Sequence, residues 1–148
     1  MSDQHDHRQL AVDLFNHTWE LLDKSELTQA EVDEMIHAAH ASRYHWGLVG
    51  TAVNLARGEW QISRVYSVLK RAEPALYHAR RSLEICQENN IGDFDIAFAY
   101  EALARAASIS GHEQTARENL TLAKVAGEKI AEQDDKDYFY SELESVGV

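Results

Sequence analysis

The chain of 148 residues holds one cysteine, one proline and seven glycines. A single cysteine, Cys86, allows no internal disulfide and fits a reducing compartment. Basic residues are scarce as well: 14 Lys and Arg stand against 25 Asp and Glu, for a formal net charge of −11. So acidic a surface repels phosphate backbones, which argues against nucleic acid as a partner. No apolar run reaches the roughly 20 residues that a helix needs to cross a bilayer, so no membrane role is expected. The opening MSDQHDHRQL is polar throughout and lacks the apolar stretch of a secretory signal, so a cytoplasmic protein is expected. Stretches that alternate β-branched and polar residues between turn signals are missing, which argues against strands. Glycine-rich phosphate loops and nucleophile elbows are missing too. No catalytic residue and no cofactor is therefore expected, and a non-enzymatic role is favoured.

What remains is a helix-forming composition. The chain is 45% hydrophobic and 26% charged, as in an ordinary globular domain. Alanine, leucine, glutamate and arginine dominate, all good helix formers. The punctuation predicts about seven helices in one domain of residues 1–148. Residues 1–7 form a frayed polar end, and a first helix runs over about 8–23. The second starts at the capping box TQAE, where Thr28 and Glu31 each take a free amide. It is expected to end near Trp46, broken by GLVG at 47–50. Helices over about 52–70 and 74–89 follow, the latter opened by Pro74. Asp93 is the expected N-cap of a fifth helix ending at Ser110, and Gly111 its C-terminal cap. The sixth covers about 112–133, and a short last helix covers 136–145. Short connections make neighbouring helices antiparallel hairpins.

Two of these hairpins repeat. Aligning EWQISRVYSVLKRAEPALYHARRSL (59–83) with YEALARAASISGHEQTARENLTLAK (100–124) pairs Ser63 with Ala104, Ala75 with Ala116 and Ser82 with Ala123. Lys70 pairs with Gly111 at the turn, and the offset between Ala75 and Ala116 is 41 residues. Small side chains at matching places let helices approach closely, while Ile62, Tyr66, Leu69, Leu83, Leu103, Leu120 and Leu122 fill the gaps beside them. This pattern resembles the tetratricopeptide repeat (TPR), over residues 57–124. Lys70 departs from it, standing where that family usually has glycine, and the spacing exceeds the usual repeat of about 34 residues. The resemblance implies an all-α, right-handed solenoid of stacked antiparallel hairpins. Residues 8–47 would be a degenerate first hairpin, 52–89 and 93–133 the TPR-like hairpins, and 136–145 a capping helix.

The same resemblance implies an inner surface lined by Arg57, Trp60, Arg64, Phe98, Glu101 and Arg105. Three guanidinium groups and two aromatic rings suit a protein or peptide carrying an acidic group or a free carboxylate. Two further readings compete: Arg57 and Arg64 pair internally with Glu59, Glu101 or Asp95, or the same two arginines hold a small anion. Gly58 in mid-helix points to another backbone or a ring pressing close. A repeat array with an uncapped end also predicts a homo-oligomer.

The stretch EMIHAAHASRYHW (34–46) concentrates histidines. On a helical wheel Met35, Ala39, Ser42 and Trp46 form a core-facing stripe. His37, His40 and Tyr44 fall opposite, and His45 lies further round. His37 and His40, one turn apart, are an alternative metal-ligand pair for a small metal-dependent enzyme, with the third ligand from Glu34, Glu59 or Asp95. The favoured reading has the imidazoles lining a helix interface and hydrogen-bonding to neighbours. HDH at 5–7 reads as a polar chain end, and Cys86, spaced with Leu83, as core rather than nucleophile.

Overall fold

Seven helices succeed one another in the computed structural model, which describes the backbone of residues 3–147 and the side chains of residues 6–147. They are α1 (Asp3–Leu22), α2 (Gln29–Val49), α3 (Ala52–Val68), α4 (Ala72–Glu88), α5 (Asp93–Ile109), α6 (Glu113–Glu128) and α7 (Gln133–Leu143). Among the described residues there is no strand. The pairs α1–α2, α3–α4 and α5–α6 pack as hairpins, and successive hairpins stack through α2 on α3 and α4 on α5. The odd-numbered helices also touch in sequence: α1 meets α3, α3 meets α5 and α5 meets α7. These four helices form one face of the stack.

Local chemistry sets the helix ends. The Thr28–Glu31 capping box is present, with Glu31 N–H donating to Thr28 Oγ1 and Thr28 N–H to Glu31 Oε1. GLVG does not break α2 where expected. The helix runs through Gly47 to Val49, and only Gly50 stops it, with its N–H on Trp46 O. A helical glycine costs about 1 kcal/mol, too little to end a helix that is packed along its length. α1 begins at Asp3, before the expected start at residue 8, and His7 lies within it and shares a hydrogen bond with His45. The expected frayed end includes Met1 and Ser2, which lie outside the described residues, as does the side chain of His5. Asp93 is itself the first residue of α5, at φ 54°, and its carboxylate accepts from Phe94 N–H and from Ala131 N–H in the α6–α7 connection.

The positions 41 apart share their surroundings. Ser63 and Ala104, Ala75 and Ala116, and Ser82 and Ala123 are all buried. Ser63 Oγ donates to Ala75 O across the α3–α4 hairpin, and Ser82 Oγ donates to Ala56 O. Side chains this short let the helix backbones come within one hydrogen bond of each other. The turns match as well. After α5, Gly111 stands at φ 80°, His112 N–H bonds to Ala107 O and Gly111 N–H to Ser108 O. After α3, Lys70 stands at φ 61°, Arg71 N–H bonds to Tyr66 O and Lys70 N–H to Ser67 O. Both are left-handed caps of the same kind, one on glycine and one on a residue that resists that conformation.

The largest apolar cluster joins α3 to α7 through Trp60, Phe98, Leu103, Phe139 and Leu143. Phe139 is fully buried and lies against Gly127, where a β-carbon would meet its ring at 2.5 Å. Ile130, past the end of α6, is buried in the same cluster. A second cluster, with Leu21, Met35, Ala39, Ile62 and Val65, binds α1 and α2 to α3. Met35, Ala39 and Ser42 face the core as the wheel implies, and Trp46 is half-buried.

Candidate functional site

The shared face of the odd-numbered helices holds a cavity of about 590 Å³. Six aromatic rings line it: Phe15 and Trp19 from α1, Trp60 from α3, Phe94 and Phe98 from α5, and Tyr138 from α7. The rings form a connected wall. Trp19 and Trp60 lie 5.5 Å apart between centroids, Trp60 meets Phe98 edge-on at 5.4 Å, and Phe98 contacts Phe94 at 4.6 Å and Tyr138 at 5.8 Å. Asp93, Asp95, Asp135 and Arg57 give the lining its charged groups, and Ala56 and Ser82 complete it. Cavities of this volume with mostly apolar walls and a few polar groups are the usual form of a ligand site.

The six residues expected on the inner surface do come together, in two roles. Arg57, Trp60 and Phe98 line the cavity. Glu101, Arg64 and Arg105 form an ion group beside it. Glu101 is fully buried on α5; its Oε1 accepts from Trp60 Nε1–H (2.9 Å) and its Oε2 from Arg105 Nε–H (2.7 Å) and Arg64 (3.4 Å). Arg64 also pairs with Glu142 at 2.9 Å, and Arg105 donates to Glu142 O and Ser145 Oγ. Two guanidinium groups and two carboxylates leave this group neutral, and Arg64 lies over the Trp60 ring at 5.2 Å. Its geometric effect is to fix the plane of Trp60, whose N–H has one acceptor.

Arg57 is bound as well. It forms a two-point pair with Asp95 (2.8 and 3.2 Å), which raises its pKa, chiefly through that hydrogen bond. All three arginines thus have carboxylate partners within the chain, and for Arg57 with Asp95 and Arg64 with Glu101 this is the internal pairing the sequence allowed. Gln61 is buried and donates to Phe15 O, tying α1 to α3, and its Oε1 atom is left without a partner.

A second polar group, which sequence reasoning did not assemble, lies between α2, α3 and α4. Buried Glu59 accepts from Arg43 Nε–H and from His78 Nδ1–H, each at 2.8 Å. His40 shares a hydrogen bond with Tyr66 OH (2.8 Å), and the His78 ring stacks on Tyr66. Burial pushes the His40 pKa down, and the neighbouring His78 pushes the same way. Burial pushes the Glu59 carboxyl up, but the bond from His78 and the charges of His78 and Arg43 outweigh it and leave it below the ordinary value. Gly58 makes room for this network. The group pressing on it is Arg43 of α2: its stem comes closest, with Cδ 2.9 Å from where a β-carbon would be, and its main-chain Cα follows at 3.6 Å. Only the proximity of Gly58 to a bulky neighbour was legible in the sequence.

The histidines disperse. His37 is exposed, His40 faces Tyr66, and His45 faces His7. The three third-ligand candidates are bound elsewhere: Glu34 to His17, Glu59 to His78 and Arg43, and Asp95 to Arg57. Among the described residues no group of three His, Cys, Asp or Glu side chains is placed to hold a metal ion. Cys86 is fully buried, and burial pushes its thiol up to about 11.

No family model, curated protein or solved structure matches the chain. Its sequence and geometry carry the functional reading alone. Among the described residues no helix is long and apolar enough to cross a membrane.

Proposed function

We propose that the chain is a non-enzymatic, TPR-like protein- or peptide-binding module of the cytoplasm, and that the aromatic cavity on the face of α1, α3, α5 and α7 is its docking site. The observation that carries this reading is the cavity itself: six rings from four helices around about 590 Å³ of space. Rigid aromatic surface offers a partner large contact area at low entropic cost. The rings are held before any partner arrives, Trp60 by Glu101 and Arg64, and Phe98 by Phe94 and Phe139. The TPR likeness is supported by the matched caps at Lys70 and Gly111 and the matched small residues of the two hairpins. An acidic group on the partner, expected from the arginines alone, would reach Arg57 only by displacing Asp95. Apolar contact is therefore the main source of affinity in this reading.

The test is site-specific photo-crosslinking in cells that express the chain. Benzoylphenylalanine in place of Tyr138, on the cavity rim, is expected to give protein adducts. The same group in place of Tyr77, exposed on α4, is expected to give none of these adducts. Identical adduct patterns from both sites, or none from Tyr138, would refute the reading.

A further inference from the structure

We infer that the occupant of the aromatic cavity is a peptide segment presenting a lysine or arginine side chain next to an apolar one. This rests on the docking reading above and adds the chemistry of the partner. Three carboxylates and one guanidinium line the cavity: Asp93, Asp95 and Asp135 against Arg57. Asp95 and Arg57 cancel in their two-point pair. That leaves Asp93, anchored by two backbone amides, and Asp135, which is exposed in the first turn of α7 and has an open carboxylate. The positive ends of α5 and α7, each worth about half a charge, offset part of this, so roughly one negative charge remains at the mouth.

The walls act in the same direction. Aromatic faces carry negative charge density and attract ammonium and guanidinium groups within about 6 Å. Two arginines of the chain already make such contacts here, Arg64 over Trp60 at 5.2 Å and Arg57 over Phe94 at 5.9 Å. The methylene stem of a lysine or arginine packs on rings while its head stays near water and Asp135. At longer range the net charge of −11 draws in basic segments and slows acidic ones. The volume admits a few side chains of an extended segment, not a folded surface.

The experiment is selection from a random heptapeptide phage library on the immobilised full chain, followed by synthesis of the enriched peptides and affinity measurement by fluorescence anisotropy. Enriched peptides are expected to carry lysine or arginine beside an aromatic or aliphatic residue. Replacing the basic residue by norleucine is expected to weaken binding about five- to tenfold, the size of a cation–π contact plus one exposed ion pair. Asp135→Asn should cause part of that loss for the basic peptide and none for its norleucine form, and Tyr138→Ala should weaken both. Both residues are exposed, so these variants keep the fold. Peptides that bind Tyr138→Ala but tolerate norleucine would overturn both readings, because they bind elsewhere. Peptides lost in Tyr138→Ala yet indifferent to norleucine, or enriched in Asp and Glu, would overturn the basic occupant and leave the groove standing. No enrichment at all would overturn both.

Discussion

Changing Glu101 to glutamine probes the centre of the inner face. The substitution keeps the size of the side chain and keeps an oxygen for Trp60 Nε1–H, but removes the charge that Arg64 and Arg105 share. Removing one partner of a fully buried ion pair costs about 3–5 kcal/mol. Two features reduce that here. Arg64 keeps Glu142 and Arg105 keeps Glu142 O and Ser145 Oγ, and both arginines retain some exposure, 12% and 15%. A loss of about 2–3 kcal/mol is expected after that discount. With a urea slope of about 1–3 kcal/mol per molar, the midpoint falls by roughly 0.7–3 M. Equilibrium unfolding followed by circular dichroism and tryptophan fluorescence measures it. Since the pair is enclosed, 0.5 M salt should leave the difference largely intact. If the variant stays within about 0.5 kcal/mol of the parent, the carboxylate does not organise the inner face, and the rigidity claimed for Trp60 goes with it.

Three further outcomes follow from the geometry. Lys70→Gly should stabilise the chain by about 1 kcal/mol and Gly111→Ala destabilise it by a similar amount, since both sites hold left-handed backbone; paired urea midpoints that move in the same direction would contradict the shared cap. Gly127→Ala places a methyl 2.5 Å from the Phe139 ring and should free α7, with a loss of about 3 kcal/mol and faster amide exchange over Gln133–Leu143. Stability should fall on acidification in two stages. The depressed His40 pKa gives a contribution complete above pH 6.5 and lost as pH drops through the folded value; the depressed Glu59 pKa gives one complete above pH 4.5 and lost below it. Thermal midpoints from pH 8 down to about 2.5 test this, and His40→Phe should flatten the first stage only.

The features legible in the sequence were those that depend on near neighbours. The Thr28 capping box, the Gly111 cap and the small residues at Ser63, Ala75, Ala104 and Ala116 each express a local steric or hydrogen-bonding need. That is why the seven helices and their pairing could be read from the sequence. The helix ends were less legible, as α2 shows by running through Gly47 under the support of its packing. The tetratricopeptide resemblance named Arg57, Trp60, Arg64, Phe98, Glu101 and Arg105 as one set, and α3 and α5 carry them close together. What they touch was not legible. Phe15, Trp19 and Tyr138 join the wall only because α1 and α7 close over its two sides. Such packing between helices distant in sequence leaves no periodic trace. Glu59, Arg43 and His78 meet for the same reason, from three helices whose spacing along the chain is unrelated to their contact.

Trp60 and Glu101 occupy the same place in successive hairpins, and each satisfies the other. Divided at the loop of residues 89–92, the chain would leave the Trp60 indole donor without its acceptor on one piece, and on the other Glu101 with Arg105 but without Trp60 and Arg64. The two hairpins should therefore melt as a single cooperative unit, although each has its own turn and its own small-residue seam.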